Sequence, residues 1–310
     1  MKWLVLCWLC LHFLLLSCEL LPHDEGRIAH VGIALSYRGT DVQSLGAAVN
    51  DGVELKEAFT SLFDGRRFSS DLLVQYGEMD EHGMWRYEGG GTAALPTKAR
   101  VVGRLESLVA SLGFEDLLII TYSGHGLEDG SLVLAPDNDG GHIFLDGGGI
   151  DSSLLLSVDE LFSILERSEA SILLILDSCY SGNFVTEAGS SISLVPDHDL
   201  LADAYRRYFD NTSSYRRGVF VISATGSDHT SYEPLAGSHT HGYFTLALLE
   251  GLGWECSEQR LVTERPFISS DWLYTYILEH QKIPTESTES VWYQHPTISG
   301  GPLELVLVSR

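Results

Sequence analysis

A histidine and a cysteine occupy matching places in two similar stretches of this sequence. His125 lies between two glycines, after the apolar run 117–120 and a short polar segment. Cys179 follows a second apolar run, 172–176, and two polar residues. Either residue alone would be interpreted as a loop histidine or a small buried hydrophobe. Together they match a cysteine nucleophile and its histidine base, which are distant in sequence and close in the fold.

Both apolar runs have the composition of strands that are buried on both faces. Each is short, free of charge and rich in leucine and isoleucine, and each is bounded by polar residues and glycine, which is typical of central strands in a parallel sheet. In open α/β sheets, ligands bind beyond the carboxyl ends of the strands. We therefore expect the two strands to bring His125 and Cys179 to the same edge of one sheet.

The rest of the chain alternates between predicted strands and helices. Strands are predicted at 31–35, 72–74, 132–134, 218–223 and 303–308, helices at 45–63, 97–112, 157–167, 243–252 and 270–280, and loops at 77–92 and 137–151. Ser157 and Glu160 have the spacing of a capping box at the start of one helix. The alternation predicts a mainly parallel sheet that is covered on both faces.

The two motifs resemble those of the caspase-like cysteine peptidases, and within them the metacaspase branch of fungi, plants and protists. The residues that carry the resemblance are Tyr-Ser-Gly-His-Gly at 122–126 and Asp-Ser-Cys-Tyr-Ser-Gly at 177–182. The Gln-Ala-Cys motif of true caspases is missing. The resemblance covers about 31–308, nearly the whole chain.

The resemblance implies an α/β fold, namely a caspase-like three-layer α/β/α sandwich with a mainly parallel central sheet and helices on both faces. It implies one peptidase domain at 28–310, composed of a large-subunit region at 28–184, a linker at 185–217 and a small-subunit region at 218–310. Residues 242–245 and 294–299 look like parts of the family's small-subunit region.

The resemblance also implies a cysteine endopeptidase with Cys179 as nucleophile and His125 as general base. We expect the neighbouring imidazole to lower the pKa of the thiol. The backbone N–H groups of Cys179 and Gly126 would form the oxyanion hole, although an ordinary tight turn would need the glycine equally. The alternative function is a catalytically silent caspase-like scaffold or signalling module. A nucleotide-binding regulator is disfavoured, because the glycines at 89–91 lack the spacing and lysine of a phosphate loop.

Three residues are implied to form a substrate pocket for Arg or Lys: Asp177, Ser123 and Asp51. Asp177 ends a buried strand, where an unpaired carboxylate would be costly unless it met a cation. Asp51, without the resemblance, would be interpreted as a solvated helix residue. Metacaspases often have a cysteine where this chain has Ala48. The expected partners are therefore protein or peptide substrates that are basic at the cleavage site, and the arginine pairs at 206–207 and 216–217 are candidate self-cleavage sites.

No metal site and no cofactor are predicted. Many metacaspases bind calcium through an Asp-rich loop and an aspartate where this chain has Thr186. The cluster at 137–139 offers oxygen ligands but lacks the spacing of a known loop, so we interpret it as a solvated turn and keep calcium activation as the alternative. We interpret His229, His239 and His241, whose spacing does not suggest a closed metal site, as loop histidines.

The composition is that of a globular protein of 310 residues, with 44% hydrophobic residues and a formal net charge of −24. The negative charge disfavours nucleic acid as a partner and would favour cationic substrates if it were focused in a cleft. Three of the five cysteines precede residue 20, which leaves Cys179 and Cys256 in the body of the chain. This usage is typical of a reduced compartment or of a thiol enzyme.

Residues 1–22 form a signal-like hydrophobic leader that is too short for a stable membrane span. The family resemblance implies a cytoplasmic protein, whereas cleavage of the leader near Ser17 or Cys18 would imply secretion and a glycosylation acceptor at Asn211. The location therefore stays open. The sequence gives no prediction of the oligomeric state.

Overall fold

The computed structural model describes nine parts of the chain: residues 26–75, 84–86, 92–137, 141–146, 148–181, 218–234, 240–285, 292–299 and 305–309. The predicted leader, the predicted linker with its two arginine pairs, and Thr186 lie outside the described residues.

Fourteen strands and five α-helices are present in the described residues. The strands are β1 (Ile28–Leu35), β2 (Phe68–Gln75), β3 (Met84–Arg86), β4 (Thr92–Ala94), β5 (Leu117–Ser123), β6 (Leu132–Val133), β7 (Leu155–Leu156), β8 (Ser171–Asp177), β9 (Val219–Ser223), β10 (Trp254–Glu255), β11 (Arg260–Leu261), β12 (Phe267–Ser269), β13 (Thr297–Ser299) and β14 (Val306–Ser309). The helices are α1 (Ala48–Leu62), α2 (Lys98–Ser111), α3 (Val158–Leu165), α4 (Tyr243–Leu252) and α5 (Ser270–His280).

Eight of the strands form one sheet in the order β13-β9-β8-β5-β1-β2-β4-β3. From β9 to β4, every neighbouring pair is parallel. β13 and β3 are added antiparallel at the two edges. The remaining six strands form three two-stranded pairs: β6 with β7, β10 with β11, and β12 with β14.

Alternate side chains of the central strands belong to two hydrophobic cores, one on each face of the sheet. In β5, Leu118 and Ile120 pack in one core with residues of α2 and α3. Leu117 and Ile119 point to the other face and pack with residues of α1, α4 and α5. Since successive residues of a strand point to opposite faces, an apolar run without alternation needs a helix layer on each side. The predicted three-layer sandwich with a mainly parallel central sheet is confirmed.

Side-chain caps fix the starts of three helices. Thr97, Ser157 and Ser269 accept hydrogen bonds from the backbone N–H three residues later, at 3.4, 3.2 and 3.1 Å. Each cap satisfies a donor that has no partner within the helix. Ser157, the first residue of the predicted capping box, therefore caps α3, and the helix ends two residues before the predicted Arg167.

Several strands differ from the sequence prediction. β2 begins at Phe68 rather than 72, because its polar first half is held by pairing with β1 rather than by an apolar run. The predicted loop at 77–92 contains β3 and the first residue of β4, a short antiparallel pair at the sheet edge. The last strand, β14, pairs with β12 outside the central sheet. No helix in the described ranges is long and apolar enough to span a membrane.

The contact between α1 and β1 depends on Gly52. A Cβ at this glycine would lie 2.6 Å from the Cβ of Ala34, whereas a Cβ at Gly103 in α2 would meet nothing within 4 Å. We expect Gly52→Ala to lower the free energy of unfolding by about 1–3 kcal/mol through overpacking. Gly103→Ala should raise it by about 0.5–1 kcal/mol through helix propensity alone. Urea unfolding of both variants tests this, and equal effects would contradict it.

Candidate active site

The two predicted strands are direct neighbours, and their ends are level. β5 and β8 pair in parallel with Ser123 opposite Asp177, and the N–H of Gly124 donates to the Asp177 carbonyl at 3.2 Å. Since His125 and Cys179 each follow two residues after the last strand residue, both lie at the same sheet edge. One pocket at that edge is lined by all of the following predicted residues: Asp51, Ser123, His125, Asp177 and Cys179.

His125 is held by contacts on both its ring and its backbone. Its Nε2 lies 2.7 Å from the Gln43 carbonyl oxygen. Because a carbonyl can only accept, Nε2 carries a hydrogen, and in the tautomer with this single hydrogen Nδ1 is the acceptor. The His125 N–H donates to the Tyr37 hydroxyl at 2.9 Å, and the two rings lie 4.5 Å apart. The imidazole is thus oriented with a basic nitrogen available.

Tyr37 was not predicted as a site residue. Its hydroxyl donates to the Val133 carbonyl at 2.6 Å and lies 3.0 Å from the Tyr122 hydroxyl. Tyr122 in turn donates to the His125 carbonyl at 2.8 Å. Burial raises the pKa of both phenols, so both keep their hydrogens. The signal in the sequence was the position of Tyr37, two residues beyond the end of buried β1, the same rule that indicated His125 and Cys179.

The Cys179 thiol is half-buried and neutral in this structure. Its Sγ donates a long hydrogen bond of 4.0 Å to the Ser231 carbonyl. Burial, and then the nearby Asp177, raise the pKa of the thiol. The expectation that a neighbouring imidazole lowers this pKa is therefore wrong, because burial has the larger effect.

Gly126 allows the two motifs to approach each other closely. A Cβ at this position would collide with the carbonyl oxygen of Cys179. Among the described residues, neither the Gly126 N–H nor the Cys179 N–H has an assigned acceptor. After Cys179 the chain turns through Tyr180, which has a φ of 55°. Gly126 and Cys179 therefore lie against each other, and their roles in an oxyanion hole stay a prediction.

Asp177 binds the amino-terminal end of α4. Its carboxylate accepts from the Ser231 hydroxyl at 2.6 Å and from the Thr245 hydroxyl and N–H at 2.7 and 3.3 Å. A Cβ at Gly242 would collide with this carboxylate. Burial, and then the charge of Asp51, raise the pKa of Asp177 to about 7. The carboxylate thus has partners from within the protein, which are hydroxyls and a helix end rather than a cation.

Asp51 is 1% exposed, so its interpretation as a solvated helix residue is wrong. Its carboxylate accepts from the Ser123 hydroxyl at 2.7 Å and the Gly242 N–H at 3.2 Å. It also forms an ion pair of 2.9 Å with Nδ1 of His241. The predicted pocket residues Asp51, Ser123 and Asp177 therefore belong to one buried network.

His241 lies outside the helices, as expected of a loop histidine, but its side chain is buried. Burial alone would lower the pKa of His241, but its hydrogen bond to Asp51 and the neighbouring side chains of Cys256 and Glu54 raise it well above the ordinary value. The signal that was missed is its place directly before the glycine that starts α4. A polar side chain at this position lies beside Asp51, the carboxylate that accepts from the N–H of Gly242.

Two other predicted positions bear on metal binding. Asp137 is described, but the remainder of the cluster at 137–139 is outside the described residues. His229 contacts Tyr293, with its Nε2 2.7 Å from the hydroxyl, and His239 is not described.

A family model of the caspase domain, the C14 peptidase family, matches residues 33–265. The chain belongs to the caspase-domain family. This match and the central parallel sheet confirm the predicted family and fold, and they place the chain among the cysteine peptidases in general. The family model does not assign the side chain that is cleaved or the individual roles of the pocket residues.

Two further comparisons add no functional information. None of the curated proteins matches the chain. Among solved structures, a crystal structure of a protein from Geobacter sulfurreducens matches with a TM-score of 0.48 and 17% sequence identity, over 90% of this chain and 94% of that chain.

The raised pKa of Asp177 predicts how stability depends on pH. The folded value of about 7 lies above the ordinary value of 3.8, so the stability contributed by the protonated carboxyl is present below about pH 4 and is lost as the pH rises through 7. Asparagine cannot titrate. Relative to its parent, Asp177→Asn should therefore gain about 2 kcal/mol of unfolding free energy between pH 5 and pH 8.

Urea unfolding at the two pH values measures this gain, with Cys179→Ala as the parent so that no proteolysis interferes. Asp159→Asn, which replaces an exposed carboxyl in α3, is the matched control and should follow the parent at both pH values. A constant difference between Asp177→Asn and its parent would contradict the raised pKa.

Proposed function

We propose that this chain is a cysteine endopeptidase of the metacaspase type, which cleaves peptide bonds after Arg or Lys. The observation that carries the proposal is the shared pocket, in which a thiol and an imidazole from neighbouring strands lie beside two buried carboxylates. Membership of the caspase-domain family supports a cysteine peptidase. The carboxylates support a basic side chain at the cleavage site.

The proposed hydrolysis uses the thiol of Cys179, the imidazole of His125 and two backbone N–H groups. Nδ1 of His125 accepts the proton from Sγ of Cys179, and the sulfur attacks the carbonyl carbon of the scissile bond. The N–H groups of Gly126 and Cys179 donate to the oxyanion that forms. His125 then gives the proton to the leaving amine as the C–N bond breaks. Water hydrolyses the resulting thioester, with His125 as base, and regenerates the thiol.

The preference for Arg or Lys rests on the charge of the pocket. Asp51 and Asp177 are both buried, and the charge of Asp51 raises the pKa of Asp177 because like charges repel. A guanidinium or ammonium group beside them would favour the doubly ionised state and lower the pKa of Asp177. An aspartate side chain in the substrate would place another carboxylate beside these two and would be disfavoured. The proposed preference at the cleavage site therefore depends first on the charge of the substrate side chain.

The second candidate is a caspase-like scaffold without activity. The observation that favours it is that the hydrogen bonds of both carboxylates are already made within the protein, so neither needs a substrate. The neutral thiol of Cys179 points the same way. A scaffold, however, has no use for a half-buried cysteine beside a histidine and two buried carboxylates in one pocket.

A pair of fluorogenic peptides distinguishes the two functions. We expect cleavage of a peptide ending in Arg, little cleavage of one ending in Asp, and loss of the Arg cleavage by at least about 10³-fold in Cys179→Ala, because removal of a nucleophile removes covalent catalysis. Ser163→Ala, at an exposed position of α3, should match the wild type. Initial rates with and without Ca²⁺ also test calcium activation.

Each other outcome overturns part of the proposal. Faster cleavage of the Asp peptide would keep the dyad and contradict the acidic pocket. Activity that survives Cys179→Ala would contradict the nucleophile. If neither the intact chain nor a chain cut between 185 and 217 cleaves either peptide or reacts with an active-site thiol probe, the scaffold function is the better one.

A further inference from the structure

Three side chains that can bind a metal lie close together behind the pocket, on the side of Asp51 that faces away from Ser123. They belong to Glu54, His241 and Cys256, and one ligand atom of each lies within 4.8 Å of the other two. Glu54 and His241 are buried, at 3% and 4% exposure, and Cys256 is half-buried. The roles proposed above for the pocket use none of these three side chains.

Two of the three side chains are oriented by a partner on their other polar atom. Nδ1 of His241 is bound by Asp51 at 2.9 Å. The second carboxylate oxygen of Glu54, Oε2, accepts from the Trp254 indole N–H at 2.8 Å. Metal-binding histidines characteristically donate their other N–H to a carboxylate, and metal-binding carboxylates are held by hydrogen bonds in the same way. These partners leave Nε2 of His241 and Oε1 of Glu54 facing each other.

Nε2 of His241 is the atom that its hydrogen bonds do not account for. It is buried and makes no hydrogen bond of acceptable geometry, although Oε1 of Glu54 lies 3.3 Å away. Nε2 therefore has an ion-pair contact with Glu54 but no well-aligned hydrogen bond, and buried nitrogens without a hydrogen bond are rare. A ligand that binds both atoms at once would satisfy the nitrogen.

We propose that Glu54, His241 and Cys256 form a zinc-type metal site with a fourth position for water. Zn–N and Zn–O bonds of about 2.0–2.2 Å in tetrahedral geometry place the two ligand atoms roughly 3.3–3.5 Å apart. The observed 3.3 Å between Nε2 and Oε1 already fits. Sγ of Cys256 lies within 4.8 Å of both atoms, and a Zn–S bond of about 2.3 Å would bring it into the same coordination sphere.

The mixture of donor atoms decides the class of metal. Calcium and magnesium prefer sites built from oxygen, whereas one nitrogen, one oxygen and one thiolate suit zinc and the neighbouring transition metals. Binding requires a neutral imidazole and a thiolate, so Zn²⁺ displaces the proton on Nε2 of His241 and the proton on Sγ of Cys256. Both protons leave to solvent, and protons compete with the metal for the site.

A route from solvent is present on the sulfur side. Cys256 lines a surface cavity of about 520 Å³, together with Trp254 and Lys282. The metal can therefore enter without opening the central sheet, and the fourth position faces a space that can hold water. Asp51 is shared with the substrate pocket, so the metal site and the pocket are connected through one carboxylate.

Cobalt(II) is a suitable probe, because a bound thiolate gives it a ligand-to-metal charge-transfer band in the near ultraviolet. The parent protein is full-length Cys179→Ala, in which the pocket thiol cannot bind metal. We expect the parent to bind Co²⁺ with this band and Zn²⁺ to displace it. In the matched variants Cys179→Ala/Cys256→Ser and Cys179→Ala/Glu54→Gln, the affinity of this site should be at least about 10-fold weaker, and the serine variant should lack its thiolate band.

Alkylation provides a second measurement that needs no change within the cluster. Mass spectrometry of the parent after iodoacetamide treatment should show that Zn²⁺ protects Cys256. The leader cysteines are common to all variants, so they cannot produce a difference between them. Equal cobalt spectra in the parent and the serine variant, or equal alkylation of Cys256 with and without Zn²⁺, would overturn the proposal. In that case the three side chains form a hydrogen-bonded cluster only.

Discussion

The structure depends on the burial of two carboxylates side by side. Asp51 comes from α1 and Asp177 from the end of β8, and their charges repel in a medium of low polarity. What makes the arrangement stable is the amino-terminal end of α4, whose N–H groups donate to both and carry the positive end of the helix dipole. The position of α4 on the sheet is therefore set by charge as much as by apolar packing.

Two histidines show how strongly neighbouring groups decide the charge of a buried side chain. The ring nitrogens of His30 in β1 lie at hydrogen-bond distance from the hydroxyls of Ser70 and Thr121, and burial lowers the pKa of His30 to about 3. His241 is equally buried but has carboxylates beside it, and its pKa rises. Neutral partners cannot compensate for the lost hydration of a charge, whereas anionic partners can. The position of Asp51 thus determines the ionisation of His241.

The sequence was sufficient to predict the features that depend on residues near each other in the chain. The apolar runs predicted β5 and β8. Since site residues commonly follow such strands, His125 and Cys179 were predicted at one edge of the sheet. α4 and α5 have the predicted boundaries because their apolar faces and start signals are contiguous in sequence.

Contacts made through the backbone could not be predicted in this way. The Gln43 carbonyl that orients His125 would be the same atom in any residue. The partners of Asp51 and Asp177 in the region of α4 come from much later in the chain. The raised pKa of Cys179 also results from burial of the thiol. Burial depends on the three-dimensional fold and cannot be derived from the spacing of the two motifs.

The pairing of β8 with β9 has a consequence for the integrity of the chain. These neighbouring strands are joined in register from Ile172 opposite Val219 to Leu176 opposite Ser223, although a long stretch of sequence separates them. The two carboxylates precede that stretch, and α4 follows it. The pocket is thus an interface between two halves of one polypeptide, held by sheet hydrogen bonds and buried charge. Its integrity depends on noncovalent association, so two complementary fragments would suffice to build it.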